Sequence, residues 1–256
     1  MTDWRRRIAT ARACFDSQGL RGLAVRATNR LWSLLWTKKD VAWLAHKARV
    51  DEFFDTKYDL DTRGITQLSD LQVTGPNRSY GVAHIASDPD EFSNALASVQ
   101  IEHEQFTFID LGSGKGRALL LALRFPFRRI VGVEFALELH RIAQTNVVRF
   151  AATDGTDTGR ISLVHADATE FELPTEPLVI YLYNPFNAHV MKRVVERVLA
   201  SHAAHPRPIY VIYANAFLEK LWVDQGFAVL VRGNAFTLIA PPLVGNSAIV
   251  RPRLRR

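Results

Sequence analysis

The chain has few of the features that mark secreted, disulfide-rich or membrane-spanning proteins. Its 256 residues include one cysteine, Cys14, which excludes an internal disulfide framework and fits a reducing compartment. The basic residues near its start are followed by no continuous apolar segment, so the pattern of a secretory signal is missing. The apolar stretch at residues 31–36 is far too short to span a bilayer. These absences predict a cytoplasmic protein, with attachment to a membrane surface as the alternative.

The positive charge is concentrated at the two ends of the chain. Residues 1–50 carry eleven Lys and Arg against three acidic residues, and residues 251–256 add four Arg. Apolar residues between Leu20 and Leu35 follow helical spacing, with arginines elsewhere on the wheel. Such a basic amphipathic helix suits an anionic membrane surface or nucleic-acid phosphates. The interpretation we favour is a helical cap that packs its apolar side on the rest of the protein.

A glycine-rich turn at residues 108–117 carries the strongest functional signal. An apolar run ends at Asp110, and Gly112, Gly114 and Gly116 follow at every second position before a helical pattern begins. Glycines suit a turn where the backbone bends tightly and a ligand comes close, and the next helix presents unpaired N–H groups. The segment predicts a nucleotide-type cofactor loop. The alternative is a plain strand-to-helix turn without a ligand.

The residues of this turn discriminate among nucleotide cofactors. A dinucleotide fingerprint would need glycine in place of Arg117, and a P-loop would need Ser or Thr in place of Gly116. A carboxylate at Asp110 would repel a pyrophosphate and attract the ammonium of an amino-acid-like ligand. The pattern therefore favours S-adenosylmethionine over NAD.

Two further acidic residues stand where later strand patterns end. Residues 129–135 form a short apolar strand pattern with Glu134 near its end, and residues 161–168 form another with Asp167. The carboxyl ends of neighbouring strands meet at one edge of a βαβ unit, where Glu134 could accept hydrogen bonds from both ribose hydroxyls. A solvated helix cap is the competing interpretation of Glu134. Asp167 is placed for the adenine amino group, but its spacing to Glu170 resembles a capping box and favours a helix N-cap.

Together these residues resemble the class I, Rossmann-like S-adenosylmethionine-dependent methyltransferases. Asp110 and the three glycines match the first motif of that family, Glu134 the second and Asp167 the third, in order and at ordinary spacing. The resemblance implies that S-adenosylmethionine is the cofactor. The implied cofactor-binding residues are Asp110, Gly112, Ser113, Gly114, Gly116, Glu134, Phe135, Asp167 and Ala168.

The same resemblance implies an α/β fold. We expect a Rossmann-like sheet of seven mostly parallel strands with a C-terminal antiparallel hairpin, plus an N-terminal helical extension. The distal sequence agrees, because two strand patterns face each other across Gly233-Asn234, a two-residue hairpin signal. The predicted organisation is a basic helical extension at 1–50, a cap or connector with the substrate entrance at 51–105, the S-adenosylmethionine-binding domain at 106–250 and a basic tail at 251–256.

The strand pattern that ends in Asn184-Pro185-Phe186 indicates the acceptor side of the site. Class I amino-group methyltransferases carry [Asp/Asn]-Pro-Pro-aromatic here, with carbonyl oxygens that accept hydrogen bonds from the target amine. The aromatic ring packs on the target or faces the methylsulfonium. The chain has a single proline in the motif, unlike the adenine and protein-glutamine enzymes. The alternative is a plain turn in which Asn184 caps the next helix and Pro185 starts it.

A closer similarity is to the non-SET lysine methyltransferases, both the disruptor-of-telomeric-silencing group and small membrane-associated or mitochondrial enzymes. It rests on Asp-Leu-Gly-Ser-Gly, on the following Gly-Val-Glu and on an Asn-containing strand end. Asn77-x-x-Tyr80 resembles the segment that covers the cofactor in that group. The resemblance implies transfer of a methyl group to an amine, with protein lysine favoured. It implies Asn184, Phe186 and Tyr80 as the catalytic residues.

Other acceptors and partners stay open at this level. A nucleic-acid methyltransferase would use the basic ends on phosphates, and a small-molecule amine is a further alternative. A noncatalytic S-adenosylmethionine-binding module would keep the glycine turn without a competent acceptor pocket. The acidic residues between Asp51 and Asp61 would suit a cationic substrate or form a solvated face. His202-x-x-His205 lacks acidic or cysteine companions, so no metal site is predicted.

Overall fold

The computed structural model describes residues 38–66, 71 and 84–242. The predicted helix between Leu20 and Leu35, Asn77 with Tyr80, and the basic tail at 251–256 lie outside those residues. The chain divides into two compact units, Met1–Val50 and Asp51–Arg256. Helix α1 (Lys38–Tyr58) begins in the first unit and ends in the second. No helix in the described part of the chain is long and apolar enough to cross a membrane.

The second unit contains a small sheet and a large one. The small sheet pairs β1 (Ile65–Thr66) with β2 (His84–Ile85) in antiparallel fashion, and α2 (Pro89–Ala97) and a 3₁₀ turn (His103–Gln105) follow. The strands of the large sheet are β3 (Thr107–Leu111), β4 (Arg129–Glu134), β5 (Ile161–His165), β6 (Leu178–Tyr183), β7 (Ile209–Ala214), β8 (Ala228–Arg232) and β9 (Phe236–Ala240). Its helices are α3 (Arg117–Ala122), α4 (Leu137–Asp154), α5 (Ala188–Ala204) and α6 (Glu219–Val223).

The large sheet confirms the predicted architecture. Its strand order is β5-β4-β3-β6-β7-β9-β8, in which β5, β4, β3, β6 and β7 are mutually parallel. Strand β9 is antiparallel to β7 and to β8, which makes the C-terminal hairpin. The chain moves outward from β3 to β5 and returns to β6 on the other side of β3. The carboxyl ends of β3 and β6 therefore flank a topological switch point, where open α/β sheets bind ligands.

The hairpin turn lies one residue later than the sequence predicts. The Gly233 N–H donates to the Phe236 carbonyl at 2.9 Å, so the two loop residues are Asn234 and Ala235. A register shift between Val229 and Val231 adds a bulge to β8. A bulge of this kind increases the local twist of an edge strand.

Both faces of the sheet are buried, which explains why its central strands are continuously apolar. Val179 and Tyr181 of β6 belong to one apolar cluster, and Ile180 and Leu182 belong to the opposite one. Successive side chains of a strand point to opposite faces, so one apolar run supplies both clusters. The ring of Tyr181 packs edge-on against Phe92 of α2 at 5.0 Å between centroids.

Residues 51–58, the start of the predicted cap or connector at 51–105, form the last turns of α1. Phe54 and Tyr58 are buried in the core, and the ring of Tyr58 lies 4.9 Å from that of Phe150 on α4. The helix ends where Asp59 takes a positive φ of 53°. Tertiary burial of two aromatic rings therefore extends a helix through a stretch with many acidic residues.

Candidate functional site

The predicted motifs meet in one cleft at the carboxyl edge of the sheet. Its lining includes predicted residues from the ends of β3, β4 and β6, together with the β2 segment at residues 84–87. A neighbouring pocket shares three of these residues and extends past the end of β5. The predicted residues in the cleft are Asp110, Gly112, Ser113, Gly114, Glu134, Phe135 and Phe186, and those in the neighbouring pocket are Gly112, Phe135, Asp167, Ala168 and Phe186.

The glycine turn brings the backbone close to its surroundings. Gly112 has a φ of +85°, and a Cβ there would lie 2.6 Å from Cβ of Pro185. Gly114 has a φ of +53°, and a Cβ there would overlap the ring of His84. The turn closes where the Gly116 N–H donates to the Ser113 carbonyl at 2.9 Å, directly before α3. These two positions need glycine because a side chain would strain the backbone and fill the space beside the cleft.

Asp110 is a buried acid that faces the cleft. Asp110 is 4% exposed, and none of the described residues donates a hydrogen bond to its carboxylate. Burial, and then repulsion from Glu134, raises the pKa of Asp110 well above its usual range. A carboxylate held in this way is stabilised by any cationic group that enters the cleft, because opposite charge favours the ionised form.

Glu134 ties the glycine turn to β4. One of its carboxylate oxygens accepts the Gly114 N–H at 2.8 Å, and the other accepts the Ala136 N–H at 2.8 Å. Burial raises the pKa of Glu134, and these backbone donors partly oppose that rise. The residue is 4% exposed, so the interpretation as a solvated helix cap is wrong. Each oxygen keeps a further lone pair for a hydroxyl, and the ribose role stays a prediction.

Asp167 does not cap a helix. Its Oδ1 accepts the Thr169 N–H at 2.8 Å and the Thr169 hydroxyl at 2.7 Å, and residues 168–170 form a turn. This is an Asx turn rather than the capping box predicted from Glu170. The neighbouring pocket has an apolar wall that includes Val133 and Phe186, and Asp167 also lines it. Such a pocket suits a flat aromatic ligand whose edge forms a hydrogen bond with a polar side chain.

Asn184 follows β6 in a left-handed conformation, with a φ of +44°. Its carboxamide oxygen accepts the hydroxyl of Tyr213 on β7 at 2.9 Å, and the residue is 7% exposed. Helix α5 is capped by Asn187, whose Oδ1 accepts the Val190 N–H at 3.1 Å. The alternative in which Asn184 caps that helix is therefore wrong. Its part in orienting an acceptor stays a prediction.

Aromatic residues that the sequence analysis passed over complete the cleft. Tyr181 and Tyr183 line it beside Phe186. The hydroxyl of Tyr181 lies 3.0 Å from that of Ser87, and burial raises the pKa of both tyrosines. Tyr181 is the register partner of Asp110 on the adjacent strand. The parallel pairing of β3 and β6 could have predicted this position, because it places Tyr181 beside Asp110.

The acidic residues at 51–61 are divided between the interior and the surface: Asp51 and Asp55 are buried, and Glu52, Asp59 and Asp61 are exposed. Asp51 and Asp55 are buried and pair with Arg117, and Asp61 pairs with Lys115 at 2.7 Å. The interpretation as a surface for a cationic substrate is wrong for Asp51 and Asp55, because both are buried and paired with Arg117. For the exposed residues of the segment it stays a prediction.

The cleft fits S-adenosylmethionine on several independent points. Asp110 suits its ammonium group, and the bare backbone at Gly112 and Gly114 admits a ligand at close range. The hydroxyl of Ser113 is buried and has no hydrogen-bond partner among the described residues, so it is available to a polar ligand. Within residues 38–66 and 84–242, no cluster of three or more His, Cys, Asp or Glu could hold a metal ion.

Solved structures similar to this chain include methyltransferases with different acceptors. No protein-family model matches the chain, and no curated protein matches it. An RNA methyltransferase from Salinibacter ruber, solved with S-adenosyl-L-homocysteine, is 15% identical over 64% of this chain and 98% of its own, with a TM-score of 0.44. A precorrin-6y C5,15-methyltransferase from Geobacter metallireducens is 15% identical over 71% of this chain and 97% of its own, with a TM-score of 0.46.

A third similar structure is a putative S-adenosyl-L-methionine-dependent methyltransferase from Methanococcus maripaludis. It is 14% identical over 62% of this chain and 87% of its own, with a TM-score of 0.46. Similarities at this level establish neither the activity nor the acceptor of this chain.

Proposed function

We propose that this protein is an S-adenosylmethionine-dependent methyltransferase whose acceptor is an amine. One observation carries the proposal: the carboxylate of Asp110 is buried at the switch point beside a glycine turn, and no described residue donates a hydrogen bond to it. A buried acid without a partner is costly to keep unless a ligand supplies the missing charge. The ammonium group of an amino-acid-like cofactor is such a ligand, whereas a pyrophosphate would be repelled.

When bound, S-adenosylmethionine would supply an activated methyl group to the nitrogen of the acceptor amine, with the C–S electron pair returning to sulfur and the amine proton passing to solvent. In this proposal Asp110 holds the cofactor ammonium, Glu134 the ribose hydroxyls and Asp167 the adenine amino group. Asn184 and Phe186 orient the acceptor. Tyr80, outside the described residues, covers the cofactor. Most of the rate enhancement then comes from placing the two reacting groups in line and excluding water.

An amine acceptor is supported by the charge and the aromatic lining of the cleft. Asp110 and Glu134 are both acidic, and the guanidinium of Arg117 in the same lining is already paired with Asp51 and Asp55. The rings of Tyr183 and Phe186 offer π faces that attract a methylated cationic group. A long, thin amine such as a protein lysine side chain is the acceptor that we test first.

We also propose a cytoplasmic location, with the basic ends available to an anionic surface.

Calorimetric titration of the purified protein with S-adenosylmethionine and with NAD tests the cofactor. We expect binding of the first and none of the second. Preferential binding of NAD would overturn the methyltransferase proposal. Binding of S-adenosylmethionine without methyl transfer to any acceptor in an extract would define a noncatalytic binding module.

Transfer of labelled methyl groups into a cell extract tests the acceptor. We expect label in protein that survives ribonuclease, is lost with protease, and runs with methyl-lysine after hydrolysis. Label that is lost with nuclease, or that stays in the low-molecular-weight fraction, would replace protein lysine by nucleic acid or by a small molecule. The variant Asn184→Ala should lose methyl transfer by about a hundredfold while it keeps its cofactor affinity, because its contact is made with the attacking group.

A further inference from the structure

Arg117, the first residue of α3, makes a set of contacts that the proposed reaction does not use. The residue is 2% exposed, and its Nε donates to the Thr62 hydroxyl at 2.6 Å. One terminal nitrogen bonds Asp51 and the Ser87 carbonyl, and the other lies 3.3 Å from Asp55. The guanidinium therefore joins the segment at 51–63 and Ser87 to the end of the glycine turn.

The segment at residues 55–63 is shaped around this guanidinium. The Asp55 carboxylate accepts the backbone N–H groups of Thr62 and Arg63, each at 2.8 Å, in addition to its pairing with Arg117. The ring of Phe54 lies 5.0 Å beneath the guanidinium, within range of a cation–π attraction. A planar fork with five donors can serve all these directions at once, which a lysine ammonium cannot.

A second set of contacts holds the same segment to the glycine turn. Lys115 donates to Asp61 at 2.7 Å and to the Arg63 carbonyl at 3.2 Å. The Asn146 carboxamide bridges the two partners, because its nitrogen donates to the carbonyls of Asp61 and Lys115, each at 2.9 Å. The back of the turn is thus tied to residues 61–63 at Lys115 and again at Arg117.

On its other side Arg117 reaches the wall of the cleft. The Ser87 carbonyl accepts from Arg117 at 3.3 Å, while the Ser87 hydroxyl lies 3.0 Å from the Tyr181 hydroxyl. Ser87 and Tyr181 both line the cleft, and Tyr181 lies beside Asp110 in the sheet. Arg117 is thus one of the residues that line the cleft, and it also contacts Ser87, a second lining residue.

We infer that Arg117 is a positioning residue for the cofactor site: it holds the segment at 51–63 and Ser87 against the glycine turn, so that the turn is preformed before a ligand arrives. The part of this inference that concerns the cofactor rests on the proposed function. A preformed site binds its ligand more tightly, because less conformational entropy is lost on binding.

Hydrogen–deuterium exchange and calorimetry on Arg117→Lys test the inference. We expect faster amide exchange in peptides that cover residues 110–118 and about tenfold weaker S-adenosylmethionine binding, since each factor of ten corresponds to the loss of roughly one good hydrogen bond. Exchange in β6 and β7 should stay at the wild-type rate. Uniformly faster exchange throughout the sheet would mean that Arg117 only stabilises the fold, and would overturn the inference.

Arg160→Lys is the matched control. Arg160 donates to the carbonyls of Leu123, Phe125 and Phe127, at the far end of α3 from the cleft. It should leave exchange in residues 110–118 and cofactor affinity unchanged. An equal loss in both variants would also overturn the inference, because it would show that any loosening of α3 has the same effect.

Thr62→Val and Thr62→Ser cover the case in which Arg117→Lys fails to fold. Thr62→Val removes one hydroxyl and keeps every charge, and should reproduce the local exchange effect in weaker form. Thr62→Ser keeps the hydroxyl and should restore the wild-type rate. No change at residues 110–118 in Thr62→Val would count against the inference. If the wild-type protein does not bind S-adenosylmethionine, the proposed function fails while the exchange comparison still decides the role of Arg117.

Discussion

The carboxamide oxygen of Asn184 accepts a hydrogen bond of 2.9 Å from the hydroxyl of Tyr213. Asn184 follows the end of β6, and Tyr213 lies in the parallel neighbour β7. The hydroxyl on β7 therefore holds the side chain of the asparagine that follows β6. The Asn184 oxygen keeps a second lone pair, so Tyr213 orients the amide without occupying it fully.

Replacing Tyr213 by Phe should lower methyl transfer and leave cofactor affinity unchanged. The hydroxyl restrains the Asn184 carboxamide, and loss of an orienting contact in a catalytic site costs about ten- to a hundredfold in rate. Steady-state transfer and calorimetric affinity for S-adenosylmethionine measure the two effects. Tyr210→Phe, at the other end of β7, is the control and should keep full activity. A parallel loss of cofactor affinity in Tyr213→Phe would show that this pair only supports the sheet.

Gly114→Ala should abolish detectable S-adenosylmethionine binding. The added Cβ overlaps the His84 ring, and the φ of +53° is unfavourable for an alanine. Gly155→Ala is a control with a similar backbone strain, since its φ is +71° and an added Cβ meets nothing within 4 Å. The control should lose some thermal stability and keep its affinity. Normal binding by Gly114→Ala would remove the turn from the site.

Glu134→Gln should weaken S-adenosylmethionine binding by about 1.5–3 kcal/mol. The substitution removes the charge from hydrogen bonds to the ligand and replaces one acceptor of the Gly114 and Ala136 N–H groups by a donor. Calorimetry gives the change in affinity, and near-ultraviolet circular dichroism reports whether the packing survives. Glu176→Gln is the control, because Glu176 accepts from Thr107 at the start of β3, at the opposite edge of the sheet. Equal affinities in all three proteins would contradict the ribose role.

Cofactor affinity should fall as the pH is lowered. Burial raises the pKa of both Asp110 and Glu134, so the free protein retains protons at pH values where ordinary carboxyls have lost them. The ammonium of the ligand binds the ionised form of Asp110, so binding releases protons below its raised pKa. Calorimetry in two buffers of different ionisation enthalpy measures that release. Asp110→Asn should bind weakly with a flatter pH profile, and a flat profile in the wild-type protein would contradict the prediction.

The same acids should make the free protein less stable as the pH rises. A raised pKa in the folded state means that the folded protein holds the proton more tightly than the unfolded chain. The contribution of Asp110 is therefore fully present below the unfolded value of about 3.8, and is lost as the pH rises through the folded value. Denaturant titrations should show this loss diminished in Asp110→Asn. If the difference in unfolding free energy between the wild-type protein and Asp110→Asn stays constant with pH, the raised pKa of Asp110 is refuted.

The order of elements and the edge that carries the site could be predicted from the sequence. A strand that is buried on both faces of a parallel sheet can be recognised from its own sequence, because it is a short apolar run that ends at glycine or an acidic residue. Asp110, Glu134 and Asp167 could be placed at one edge because parallel strands align their carboxyl ends. The antiparallel hairpin followed from turn composition, with an error of one residue at Gly233.

Pairings between distant residues could not be predicted in this way. Asp51 and Asp55 resembled a solvated acidic face, and only the fold brings the buried guanidinium of Arg117 between them. The helix through residues 51–58 depends on the burial of aromatic rings rather than on local propensity. The residues that flank Asp51 do not reveal whether its carboxylate faces water or pairs with Arg117, which lies 66 positions away in the sequence.

The sequence by itself therefore determined the strand-and-helix order, the glycine turn and the acidic residues at strand ends, since these depend on backbone sterics and on neighbours a few positions apart. The tertiary structure alone decided that Asn187 caps α5 while Asn184 bonds Tyr213, and that Arg117 ties the segment at 51–63 and Ser87 to the turn. Side chains from separate elements compete for the same hydrogen-bonding and ionic partners, and that competition is settled only when packing brings them within bonding distance.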